Sequence, residues 1–127
     1  MNSKVIIILI FLSFCLAQDK GINLYQNQEY EAAINYYESV IINNEDNLQA
    51  HFGRGASSFQ QGNMEMAKKS FEKSLKSSDE IFRSKSFYNL GNTFYKENKR
   101  EEAISFYRKA LEINPNDNHA KFNYELL

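Results

Sequence analysis

Cysteine, tryptophan, proline and histidine are nearly or wholly missing from this 127-residue chain, which has one, none, one and two of them. The single cysteine, Cys15, sits in an apolar N-terminal stretch, so a chain cleaved after that stretch keeps no disulfide and no thiolate for nucleophilic or metal chemistry. His51 and His119 stand far apart, whereas a zinc site needs several His, Cys or carboxylate ligands converging on one point. No metal site is expected, and both histidines read as partly exposed helical residues. A glycine-rich phosphate loop is missing too. Gly53-Arg54-Gly55 lacks both a third glycine and a following Gly-Lys-Ser/Thr, and it lies inside a helical pattern rather than after a strand. No cofactor is expected; Gly55 reads as a packing glycine and Gly53 as a gap facing a groove. Glu101 and Glu102 are adjacent on a helix, point in different directions and compensate its dipole instead of pairing for acid-base work. With no serine, histidine and acid arrangement to argue from, the chain reads as no enzyme.

An excess of one charge is also absent. Lys plus Arg number 15 against 16 Asp plus Glu, a net charge of −1, which excludes electrostatic nucleic-acid binding. The charge is nevertheless lopsided: residues 18–47 hold one basic and six acidic residues, and residues 48–127 hold 13 and 10.

No apolar run is long enough to span a bilayer comfortably. The longest, Val5 to Ala17, has 13 residues interrupted only by Ser13 and follows Lys4 and the amino terminus. Length, charge and the small residues Cys15 and Ala17 fit a signal peptide over residues 1–17, cleaved after Ala17, with residues 18–127 carried across a membrane, into the periplasm if the source is bacterial. Two other readings fit the same stretch. One is lipid attachment at Cys15, against which the bulky Phe14 stands; the other is an uncleaved anchor with the domain outside the cytoplasm. Membrane association is expected only through this leader.

What the chain does have is a repeat. Gly21, Gly55 and Gly91 are followed after 12 residues by Ala33, Ala67 and Ala103, and four residues later by Tyr37, Phe71 and Tyr107. The units are spaced by 34 and then 36 residues, with the two extra residues falling around Ser78 to Arg83. In the best-formed copy Phe87, Leu90, Gly91, Phe94 and Tyr95 recur at helical period, as do Ala103, Ile104, Tyr107, Ala110 and Leu111. Glu101 and Glu102 open that second helix, Arg108 and Lys109 close it in accord with its dipole, and Pro115 stops it. Helices are expected over about 19–27, 30–43, 47–61, 64–77, 80–97, 100–113 and 118–126.

These positions resemble the tetratricopeptide repeat (TPR) family. The unit beginning at Ser84 matches its pattern with Leu90, Gly91, Phe94, Ala103, Tyr107, Ala110 and Pro115. The unit from Leu48 matches with Gly55, Ala67, Phe71 and Ser74, but has Ser58 in place of a large residue and Asp79 in place of the proline. The first keeps Gly21, Leu24, Tyr30, Ala33, Tyr37 and Val40, with Glu45 at the proline position. The resemblance implies an all-α solenoid of about three helix-turn-helix repeats, 18–47, 48–81 and 84–117, with a capping helix at 118–126.

It also implies a concave groove that binds a protein or an extended peptide. Carried over position by position, that groove takes Gln18, Ile22, Tyr25 and Gln26 from the first unit, Gln49, Phe52, Ala56, Phe59 and Gln60 from the second, and Lys85, Tyr88, Asn89, Asn92, Tyr95 and Lys96 from the third. Asparagines there pair with peptide backbone, so Asn92→Ala or Tyr88→Ala is expected to spare the fold and weaken binding. The subclass that grips the acidic tails of Hsp70 and Hsp90 needs basic and asparagine positions of which only Lys85 is present; Ile22, Gly53 and Asn89 depart from it. From Tyr88 onward the sequence is similar to the exported TPR proteins of the Bacteroides aerotolerance (Bat) operons, which implies an envelope scaffold working with von Willebrand factor A domain proteins. The alternative is a membrane-tethered assembly factor for envelope or secretion machinery. Phe122, Tyr124, Leu126 and Leu127 on the last helix give a further expectation, self-association through that end.

Overall fold

The computed structural model describes residues 20–127; the leader, including Cys15, lies outside the described residues. Among the described residues seven helices follow one another: α1 over residues 20–26, α2 Tyr30–Asn43, α3 Leu48–Gln61, α4 Met64–Ser74, α5 Glu80–Lys96, α6 Arg100–Ile113 and α7 Asn118–Leu126. No strand occurs among the described residues.

Local chemistry accounts for the boundaries. Asn47, Asn63, Asp79 and Asp117 cap α3, α4, α5 and α7, each side chain accepting from a backbone N–H of the first turn at 3.0–3.1 Å. The turns joining the two helices of a unit each hold one left-handed residue, Gln28, Gly62 and Asn98, at φ 63°, 87° and 61°. Only the second is glycine, the residue that adopts this conformation without a steric penalty. α4 stops at Ser74 rather than near residue 77, because its last turn tightens: the Leu75 N–H is shared between the Phe71 and Glu72 carbonyls. The two extra residues before the third unit lengthen α5 at its start, which makes it the longest helix.

From α2 to α7 each helix packs mainly on its neighbours in sequence, the stacking of a solenoid. Ala67, Phe71 and Leu90 form the buried centre, surrounded by the half-buried Phe52, Phe59, Phe87, Phe94 and Phe106. The Phe94 and Phe106 rings stack at 5.1 Å, and Phe52 meets Phe71 edge-on at 5.4 Å. A seam of fully buried hydroxyls, Ser57, Ser58, Ser70, Ser74, Ser86 and Thr93, lets the helices approach closely. Ser57, Ser58, Ser86 and Thr93 donate to the carbonyl four residues back in their own helix, so their burial leaves no polar group unpaired.

Two expectations are corrected. Arg108 and Lys109 lie short of the last turn of α6, which holds no basic residue; Lys109 instead places its ammonium over the Phe106 ring at 4.9 Å, and Arg108 lies 6.0 Å from the Tyr124 ring. His51 is not partly exposed: it is 4% exposed, with Nε2 2.8 Å from the Glu45 carbonyl oxygen. A carbonyl only accepts, so Nε2 carries the proton and Nδ1 faces Arg54 as an acceptor. Burial pushes the His51 pKa down, with the Arg54 charge adding to the effect against the Glu45 hydrogen bond. His119 is exposed.

Candidate functional site

The repeated glycines and aromatics form one device used three times. A Cβ built on Gly55 would come within 2.9 Å of the Phe71 ring, one on Gly91 within 2.5 Å of Tyr107, and one on Gly21 within 2.5 Å of Tyr37. The first helix of each unit thus lies directly on the aromatic of the second. Ala33, Ala67 and Ala103 are buried where the pairs cross.

The device has a different outcome in the first unit. Tyr37 also lies against Gly53 of α3, nearer still than Gly21, so the ring is held between two glycines. Gly53 is therefore a packing glycine as well as the expected gap facing the groove. Because neither α1 nor α3 carries a side chain there, a pocket of about 410 Å³ opens beside the ring. Ile22 and Tyr25 of α1, Tyr36, Tyr37 and Val40 of α2, Asn47, Gln49, Ala50, Phe52, Gly53 and Ala56 at and along α3, and Phe82 of α5 line it. No charged side chain is among them.

The polar groups of this wall are only partly used. The Tyr25 hydroxyl accepts from Gln60 at 3.2 Å, and Asn47 is occupied by its cap. Gln49 is exposed and makes no hydrogen bond within the described residues, which leaves its carboxamide for a bound backbone. Partial burial raises the Tyr37 pKa, with Tyr36 adding to it.

Of the expected groove residues, this pocket brings together Ile22, Tyr25, Gln49, Phe52 and Ala56. It does not include the other described ones, and Gln18 lies outside the described residues. Phe59 packs against the buried centre. Lys85 is exposed, and Asn89 donates to the Lys85 carbonyl of its own helix at 2.9 Å. Tyr95 and Lys96 border a hollow of about 640 Å³ with Asn98 and Arg100 at the α5–α6 turn, which has two cations on its wall.

Asn92 and Tyr88 are committed inside the chain. The Asn92 Oδ1 accepts from the Tyr107 hydroxyl at 2.8 Å and from Asn123 Nδ2 of α7 at 3.1 Å, and Asn123 reaches the Tyr88 hydroxyl at 3.4 Å. The expectation that Asn92→Ala spares the fold is corrected on this ground, since truncation strands the Tyr107 hydroxyl next to α7. Tyr107 itself is 1% exposed, and burial pushes its pKa up to about 12. Missing from the expected set were Tyr36, Val40, Asn47, Ala50 and Phe82. Tyr36 and Val40 belong to a second helix, and Phe82 precedes the repeat's first position, so groove positions of first helices alone do not reach them.

The densest charge cluster lies elsewhere. Lys68 Nζ is 3.1 Å from both carboxylate oxygens of Glu97, with Lys99 3.3 Å from the same carboxylate. The Lys68 hydrogen bond holds Glu97 below its usual range, and Glu97 in turn raises Lys68. This cluster ties α4 to the end of α5. Among the described residues no group of His, Cys, Asp and Glu is arranged to hold a metal ion, and no helix is long and apolar enough to cross a membrane.

Helix pairs stacked in series, small residues at every crossing and an aromatic seated on each define a helical repeat protein with a pocket at one end. Tetratricopeptide repeat models match residues 19–80 and 84–117. The chain belongs to the tetratricopeptide repeat family. No curated protein matches it significantly. Among solved structures it is similar to the TPR domain of Arabidopsis OM64, at 21% identity and TM-score 0.80, over 87% of this chain and 90% of that one. It is similar to the second TPR domain of human RPAP3 in complex with the HSP70 peptide SGPTIEEVD, at 21% identity and TM-score 0.78, over 87% and 90%. It is also similar to the Yersinia enterocolitica type III secretion chaperone SycD in complex with a peptide of the translocator YopD, at 16% identity and TM-score 0.80, over 90% and 91%. At these identities the likeness establishes the fold.

Proposed function

We propose that this chain is a protein-binding scaffold whose docking site is the pocket between α1, α2, α3 and α5. The observation that carries this reading is the pocket itself: about 410 Å³, walled by aromatic and aliphatic side chains, with a carboxamide at Gln49 free to orient a ligand. Small-ligand and anchor pockets run from roughly 300 to 1,000 Å³ with this composition. The peptides held by the RPAP3 and SycD domains lend support to binding, not turnover, as the task of the fold.

The test is cross-linking and affinity capture from native extract with the full chain, comparing wild type with the Ile22→Ala/Tyr25→Ala variant. A specific partner retained by wild type and lost from a variant that still unfolds cooperatively supports the reading. Equal capture by both moves the site away from the pocket.

Export belongs to this proposal as well. It rests on the apolar run Val5 to Ala17, and the intact mass of the native protein tests it: loss of residues 1–17 means a cleaved signal, and a mass increment on Cys15 means the membrane-tethered assembly factor. A Bat-type envelope complex is the finer placement, resting on the sequence from Tyr88 to Leu127. A captured partner with a von Willebrand factor A domain is the result that supports it.

A further inference from the structure

The pocket's chemistry narrows its ligand. Its walls offer no cation to a carboxylate, and a carboxylate taken into an uncharged pocket loses its hydration without a compensating partner. The rim has the opposite sign. Glu45 and Asp46 close the stretch from residue 20 to residue 47, in which Lys20 is the only basic residue, and neither forms an ion pair within the described residues; Glu29 and Glu31 of that stretch border a separate hollow. Glu45 and Asp46 are exposed in the loop that leads directly into Asn47 of the pocket wall.

Cations do stand nearby: Lys73 and Lys76 are close enough to His51, beside Glu45, to act on its charge, and Lys20 lies over a ring of the pocket wall. Arg54 spends its guanidinium on the Ser70 hydroxyl at 2.9 Å and on the His51 ring, and Lys20 lies over Tyr36 at 5.6 Å. Lys85, one turn along α5 from Phe82, is not part of the lining.

We propose, building on the docking reading above, that the pocket is a socket for one aromatic or branched aliphatic side chain of a polypeptide that carries Lys or Arg beside that side chain. The apolar anchor fills the space next to Tyr37 and Phe52. The flanking cation pairs with Glu45 and Asp46, and the Gln49 carboxamide takes the backbone between them. Acidic-ended peptides are disfavoured by both the walls and the rim.

Amide NMR spectra of the full chain, titrated with matched synthetic peptides, test this. The peptides share a Gly/Ser background and carry Lys-Phe-Lys, Lys-Ala-Lys or Glu-Phe-Glu at the centre. The expected result is that Lys-Phe-Lys shifts the amides of Gln49, Phe52 and Gly53, and that replacing Phe by Ala weakens binding by about tenfold or more. Glu-Phe-Glu binds more weakly than Lys-Phe-Lys, by a ratio that shrinks as salt is added. The Glu45→Lys/Asp46→Lys variant, altered only at exposed side chains, reverses that preference.

Equal affinity across the set, shifts confined to Tyr95, Lys96 or α7, or no shifts at all would each overturn the proposal. A native partner lost on Ile22→Ala/Tyr25→Ala while these peptides fail rejects the anchor chemistry and leaves the docking reading standing. Failure of both rejects the pocket as a site.

Discussion

The first and third units use the same glycine-on-aromatic contact to opposite ends. In the third, Tyr107 lies under Gly91, is wholly buried, and donates to Asn92, which α7 also engages through Asn123. What remains open beside the Tyr107 ring is a crevice of about 40 Å³. In the first, Tyr37 lies under Gly21 and Gly53, is half-buried, and faces a pocket ten times that size. A repeat position is thus neither core nor site by its own chemistry. It becomes one or the other according to whether a neighbouring helix supplies the side chain and hydrogen bonds that fill the space.

The largest break in this comparison is truncation of the two tyrosines. Tyr107→Ala should cost about 3–5 kcal/mol, the range for emptying a fully buried aromatic site, and lose the α7 latch as well. Tyr37→Ala should cost clearly less, because part of that ring already faces solvent. Urea denaturation of both variants checks the order, and equal losses would mean that the first unit is packed as tightly as the third.

A smaller effect separates the glycines. Gly91→Ala drives a methyl into a ring that is 1% exposed and has only a small crevice beside it, and should cost about 1–3 kcal/mol. Gly53→Ala meets the far end of Tyr37, which has the pocket to swing into, so the stability loss should be smaller and ligand binding should fall instead. Thermal melts paired with peptide titration read both quantities.

The smallest expected effect is in the pH dependence, which sharpens the contrast because the two halves titrate in different windows. His51, near the pocket, has a pKa depressed below its ordinary 6.5, so the unfolded chain takes up the proton first. Its stabilisation is complete above that value and is lost as pH falls from there. Glu97, between α4 and α5, is depressed below its ordinary 4.5, so its share is complete above that value and is lost only at lower pH. Midpoints measured against pH should show the upper step vanish in His51→Gln and the lower step vanish in Glu97→Gln.

Much of this was legible in the residues. The expected span of α2 agrees with the observed helix end for end, and so do those of α6 and α7, since αL turns and helical period are local and α7 adds the Asp117 cap. The pairing of Gly21, Gly55 and Gly91 with the aromatics sixteen residues on was equally readable, being internal to one unit. The buried hydroxyl seam was not. Ser58 looks like a departure from a large apolar position, yet it is fully buried with its hydroxyl on the Arg54 carbonyl, and nothing in a serine announces that a helix will pack on it. His51 misled for the same reason: its burial depends on the Glu45 carbonyl and on the helices around it.

The groove divides along the same line. Tyr25, Gln49 and Phe52 reach the pocket that their repeat positions imply, whereas Asn92 and Tyr88 occupy equivalent-looking positions and are taken up by α7. By itself the sequence determined the helices, their order and the aromatic seated on each glycine, because those follow from spacings within about one repeat. Only the tertiary structure decided which copy of the repeated surface stays open, because that depends on contacts such as Asn123 with Tyr88, 35 residues apart, and on the absence of a similar helix over Tyr37 among the described residues.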